Sequence, residues 1–422
     1  MSSIMDTHHV KQQLKSLVED LPPELRRHIL SFLPLSDLRN FVRASPYYHA
    51  QYREDRLYIL RSSLYNTLSN VTIDAFAVHC SRSRKFIEAR TPARVVKYLR
   101  DYRSLQLLDV SARMTEDNAI QMVGCYFRAI RPAIRQYVRY TAAKLNESIG
   151  VSPACGSTKL SSTEETRVVR GLYRLQLYSH LFSVGPHNGL GSGFITKDRE
   201  AHLLGSSLFF ADSEPWEVEE FWCVYLFAKT TYDEMLEYFR PEINRKLEPV
   251  TELLRYHHPQ LSPTLSDLDG WYLREIVVDA YISRGLQMMS SIRNFLDDTG
   301  DLAAIKYRLL SHHGIGVNIS YRSKLMQRLR YDKHPCEKDY LSAARDPLPF
   351  EGDSETRPSS AWTLTWSGTY SNLYGEYIPN KLREWGYVMW DEARIKDTGA
   401  DKLLSSQLQA EWKGVDPRSR RR

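Results

Sequence analysis

The sequence has no apolar run long enough to cross a bilayer. Its longest, Phe221 to Ala228, is under half of the roughly twenty residues that a spanning helix needs. Met1 to Val18 is polar and holds no apolar core for a secretory signal. Cysteine is sparse: five in 422 residues (Cys80, Cys125, Cys155, Cys223, Cys336), far apart, odd in number and without a CxxC pair. Such spacing argues against a disulfide framework and against a zinc site. The pairs His257-His258 and His312-His313 lack a third ligand at metal-binding spacing. Sequons beginning at Asn70, Asn146 and Asn318 carry no weight without a signal. These absences predict a soluble cytoplasmic or nuclear protein with no metal or other cofactor.

Sequence signatures of catalysis are missing as well. In Gly150 to Lys159 the letters of a phosphate loop stand in the wrong order, since the lysine does not follow the second glycine. Gly189 to Gly193 is glycine-rich but follows no strand, so it reads as a loop rather than a nucleotide site. Asp267-Leu268-Asp269-Gly270 echoes an aspartyl nucleophile, yet the preceding stretch is no buried strand and Trp271 takes a hydroxyl's place. A helix start is the better reading. The expectation is a protein that is not itself an enzyme.

What is present is helical periodicity, with strand-like alternation rare. The fold class expected is mainly α, with a three-helix segment at the N-terminus and a larger irregular helical region free of recognisable repeats. Breaks rich in Ser, Gly and Pro fall at 146–163, 185–193 and 345–360, and the chain closes on basic residues. Ser162 with Glu165 has capping-box spacing and predicts a helix start. Pro215-Trp216 followed by Glu217, Glu219 and Glu220 reads as another, its acids suiting the macrodipole. Leu172, Leu175, Tyr178 and Phe182 mark one side of a core helix. Trp385, Tyr387 and Trp390 read as a hydrophobic clasp for the terminal segment, with a recognition patch as the alternative. A net charge of +6 is too modest to call for nucleic acid by itself.

Within residues 20–60, Leu25, Ile29, Phe32 and Leu33 recur at helical spacing. Pro22 and Pro23 open that helix and Pro34 closes it. Ser36 is expected to cap a second helix carrying Leu38, Phe41 and Val42, and Ser45-Pro46 a third. Three short helices with apolar faces exceed what about fifty residues bury alone, so a partner surface is expected.

The run L-P-x-E-L-x-x-x-I-L-x-F-L-P-x-x-D-L resembles the F-box. Leu21, Pro22, Glu24, Leu25, Ile29, Leu30, Phe32, Leu33, Pro34, Asp37 and Leu38 carry it. Ala44-Ser45 stands where the family often has Val-Cys, and Tyr48 where a Trp is common. The resemblance implies docking to a Skp-family adaptor and, through it, to a cullin scaffold of a ubiquitin ligase. The docking residues would be Leu21, Pro22, Glu24, Leu25, Ile29, Leu30, Phe32, Leu33, Leu38 and Val42. The rest is similar to F-box-like proteins of filamentous fungi, through Arg170 to Phe182, Pro215 to Cys223 and Trp385 to Asp391. The organisation expected is an F-box over 17–60, a helical region binding an unknown target over 61–413, and a flexible basic tail over 414–422. A rival reading starts from Arg128, Arg131, Arg135 and Arg139, one helix face able to hold an acidic partner or nucleic acid. Its plainer alternative is a solvated face opposite the acidic stretch Asp212 to Glu252.

Overall fold

The computed structural model describes residues 19–88, 91–150, 159–182, 209–210, 213–241, 274, 278, 281–282, 284–297, 341, 344 and 346–421. The polar stretch 1–18, residues 151–158, the loop 185–193, Asp267 to Gly270, both histidine pairs, Cys155, Cys336 and Asn318 lie outside the described residues. Mainly α is the class observed, and no strand occurs among the described residues.

In chain order the first helices are α1 (Pro23–Phe32), α2 (Leu35–Ala44), α3 (Pro46–Glu54), α4 (Arg56–Leu68) and α5 (Thr72–Ser81). Next come α6 (Arg84–Glu88), α7 (Pro92–Arg103), α8 (Leu107–Arg113) and α9 (Glu116–Cys125). After a π turn at Tyr126–Ile130 follow α10 (Arg131–Ile149), α11 (Ser162–Phe182), α12 (Pro215–Tyr238) and α13 (Leu286–Leu296). The C-terminal part holds α14 (Ser360–Thr365), α15 (Asn380–Glu384), α16 (Glu392–Thr398) and α17 (Ala400–Trp412). No helix among the described residues is long and apolar enough to cross a membrane.

The chain divides into two compact units, one of residues 1–79 with 105–127, the other of 80–104 with 128–422. The division expected at residue 60 therefore falls inside α4. Ile59, Leu60, Leu64 and Leu68 of that helix are core residues, so cutting there would split an apolar face.

Proline sets the helix limits of the first unit as expected: α1 begins at Pro23 and ends just before Leu33-Pro34. The caps differ from expectation. Ser36 caps nothing: α2 already begins at Leu35, whose N–H donates to Thr67 Oγ1 of α4 at 2.8 Å. Ser45 sits at the cap position of α3, but its hydroxyl donates to Glu19 Oε1 at 2.6 Å instead. At Ser45 a long-range partner thus outcompetes the local one.

The second unit is organised around α11 and α12. Gly171 makes their close approach possible, since a Cβ there would lie 3.0 Å from the Glu220 carbonyl oxygen and from Val224 Cγ2. The capping box at the start of α11 is Ser161 with Glu164, one residue earlier than expected; each backbone N–H donates to the other's side chain at 3.1 Å. Of α11, Leu172, Leu175, Tyr178 and Phe182 are buried, and so are Val168, Tyr173 and Leu177 on its other sides. It is a central helix rather than a one-sided one. Trp385, Tyr387 and Trp390 are buried as a clasp: Trp385 Nε1–H donates to Gln407 Oε1 at 3.1 Å, and Trp390 Nε1–H to the Trp385 carbonyl at 2.7 Å. Residues Pro417–Arg421 of the expected flexible tail form a 3-10 turn, with the Arg418 guanidinium 5.2 Å from the Trp366 ring centre.

Candidate functional site

The ten residues expected to dock a partner do not share one fate. Leu30 and Leu38 are buried in the first unit and close its core. Leu21, Ile29, Leu33 and Val42 are half-buried, while Pro22 and Glu24 are exposed. Leu25 keeps 49% and Phe32 65% of its surface in water, an unusual exposure for large apolar side chains seven residues apart on one helix stripe. Between them His28 stacks edge-on against Phe32, ring centres 4.6 Å apart.

Two of the three departures from the resembled motif, Ser45 and Tyr48, point inward. Ser45 is buried on Glu19, and Tyr48 is buried with its ring edge-on to Phe41 at 4.6 Å. Burial pushes the Tyr48 hydroxyl pKa up, with Arg26 opposing. Ala44 alone of the three is exposed, at the C-terminus of α2.

Sequence reasoning missed Tyr47 on α3 and Tyr58 and Tyr65 on α4, all exposed. Arg27 joins α1 to α4, its guanidinium 4.1 Å from the Tyr58 ring centre and 3.7 Å from Asp55 Oδ1. Tyr58 and Tyr65 are seven apart, opposite the buried Leu60 and Leu64, so continuing the helical pattern past residue 60 would have found them.

The second unit holds a concentration of buried charge. Arg170 donates from Nε and Nη2 to both carboxylate oxygens of Glu220, each at 2.7 Å, and from Nη1 to the Glu355 carbonyl at 2.7 Å. Arg383 pairs with Glu219 through Nε at 2.8 Å and Nη2 at 3.0 Å; Glu219 Oε1 also accepts the Gly375 N–H at 2.6 Å. Arg394 grips Glu164 at 2.7 Å through two nitrogens, and Arg167 reaches Asp391 at 2.8 Å. The acids read as helix-start residues thus have separate tasks: Glu217 caps α12 at the Glu214 N–H, whereas Glu219 and Glu220 are pairing partners in the interior. These contacts fasten residues 353–394 onto α11 and α12. Charged pairs with both carboxylate oxygens engaged are geometrically demanding, so they specify one packing more than they add stability.

Two groups with nucleophilic potential are enclosed. Burial pushes the Cys223 thiol well above its usual range, reinforced by Glu219 and Glu220, so it stays protonated. Ser81, fully buried, meets His180 Nδ1 at 2.9 Å. Gln176 Oε1 accepts the Leu286 N–H at 2.7 Å, which turns its amide N–H toward His180 Nε2 at 2.7 Å. His180 Nδ1–H then donates to Ser81, and the cluster links three segments. Among the described residues no group of three or more His, Cys, Asp or Glu could hold a metal ion.

The arginine face is only partly as expected. Arg128 and Arg135 are exposed, Arg131 is half-buried and acts electrostatically on Glu165, and Arg139 pairs with Asp297 at 3.2 Å. The pairing acid of Arg139 lies beyond the Asp212–Glu252 stretch proposed for it.

No family model, curated protein or solved structure matches this chain.

Proposed function

We propose that the chain is an F-box-type recruiting subunit: α1 to α3 dock a Skp-family adaptor bound to a cullin scaffold, and the larger helical unit holds the target. Ubiquitin transfer belongs to partner enzymes, and this chain contributes proximity, raising the target's effective concentration near the ubiquitin carrier. The observation that carries the reading is the exposure of Leu25 and Phe32, two members of the F-box-like run, on a helix whose Leu30 closes the core. Large apolar side chains left in water on a small unit mark a surface that a partner covers.

The test is calorimetric titration of the intact chain with a purified Skp-family adaptor. Binding by the native chain, lost at least about a hundredfold in Leu25→Asp/Phe32→Asp, supports the reading. A native chain that leaves the adaptor unbound overturns it and favours an interaction protein acting outside the ligase.

A further inference from the structure

Among the described residues, exposed basic side chains gather on and before α6 and on α7 as well as on the arginine face of α10. Residues 82–103 carry eight arginines and lysines against two acids, Glu88 and Asp101. On α7, Val95 and Leu99 are buried, and Arg94, Lys97 and Arg100 are exposed opposite them. On and before α6, Arg82, Arg84 and Lys85 are exposed, and Ile87 beside them keeps 42% of its surface in water. The Phe86 and Tyr98 rings, centres 4.8 Å apart, hold the two helices together. From this charge and spacing we propose that α6 and α7 form a docking surface for an acidic, amphipathic protein segment.

Charge complementarity selects an anionic partner, and three features select protein over nucleic acid. Arg94, Lys97 and Arg100 follow one another at about 4.5 Å along the helix axis, the rise of three residues. Acids spaced three residues apart on a facing helix have the same rise. Asp101 is exposed on the same side of α7; discrete carboxylates avoid it, whereas a phosphodiester chain carries its charge without gaps. Finally, Phe86 is buried and Tyr98 and Tyr102 are half-buried, so none of the three rings is fully open to a stacking base. Ile87 supplies the apolar contact that an amphipathic partner, unlike a phosphate backbone, would use. This surface is independent of the adaptor-docking face, so either proposal stands or falls alone.

The experiment titrates the full chain, by fluorescence anisotropy, against three probes: a labelled peptide with Glu at every third and fourth position and Leu between, its Gln counterpart, and a single-stranded RNA of equal charge. The native chain is expected to bind the Glu peptide about tenfold or more tighter than the Gln peptide, with affinity falling as salt rises. Lys97→Glu/Arg100→Glu should remove that preference, and Lys97→Gln/Arg100→Gln should reduce it, both with an unchanged thermal melt. Equal binding of the two peptides, variants that bind as the native chain does, or tighter binding of the RNA would each overturn the proposal.

Discussion

The α1–α4 region and the α11–α12 pair treat polarity in opposite ways. In the first, Leu25, Phe32, Tyr58 and Tyr65 face water on helices whose remaining apolar residues form a core. In the second, Glu219 and Glu220 are fully buried, each matched by an arginine. An apolar side chain left outside costs little by itself but is free to meet a partner; a carboxylate taken inside is tolerable only while its cation stays in place. The first region leaves large apolar side chains at its surface. The second is built to complete itself with its own distant chain segments.

Breaking the buried pairs should have the largest effect. Glu220→Ala leaves the Arg170 guanidinium buried without its carboxylate, and urea unfolding should show a loss of about 3–5 kcal/mol. Replacing both partners, as in Arg170→Met/Glu220→Met, should recover most of that loss, because no unpaired charge remains. If the single variant costs no more than the double, the pair is not acting as a unit.

Closing the α11–α12 approach should come next. Gly171→Val places methyl groups against the Glu220 carbonyl and Val224, and a destabilisation of about 1–3 kcal/mol is expected by thermal or urea unfolding. Gly171→Ala should cost less, as only its Cβ has to be accommodated.

Acid should weaken the second region. Burial alone would raise the Glu217 pKa, but Arg174 and Arg170 outweigh it and hold the carboxyl at about 2, against an ordinary 4.5. A depressed carboxylate contributes stability that is present above its unfolded pKa and lost as pH falls toward the folded one. Stability should therefore drop from about pH 4.5 toward pH 2, by up to about 3 kcal/mol for this group. In Glu217→Gln that part of the pH dependence should disappear. A native stability curve flat across this window would refute the assignment.

The smallest stability effects belong to the exposed faces. Leu25→Asp/Phe32→Asp should shift the melt by no more than about 1 kcal/mol while removing adaptor binding, since both side chains already face water. Replacing Arg128, Arg131, Arg135 and Arg139 with Gln should also shift stability little, because the pair Arg139 makes with Asp297 is largely solvated on the arginine side. A large loss of stability in Leu25→Asp/Phe32→Asp would erase the contrast between the two regions.

Much of the helical layout was legible in the sequence. Apolar spacing and the punctuation of Pro23, Pro34, Pro46 and Pro215 are local signals, and helix starts follow them closely. The core character of Leu172, Leu175, Tyr178 and Phe182 was equally plain. Less of the candidate site could be read: Leu30 and Phe32 are near neighbours in one motif, yet one is buried and the other exposed. Residue 60 is where the motif ends, whereas the compact unit runs on to residue 79 and takes in 105–127, a pairing of distant segments that no local spacing announces.

The sequence by itself determined the mainly helical class and the placement of helix starts, because both rest on φ limits and on a 3.6-residue period that neighbouring residues carry. Only the tertiary structure decided that Thr67 caps α2, that Asp297 answers Arg139, and that Arg383 meets Glu219 across 164 residues of chain. A hydrogen bond or ion pair forms where desolvated groups meet in space, and no local spacing encodes which distant segment will bring the partner.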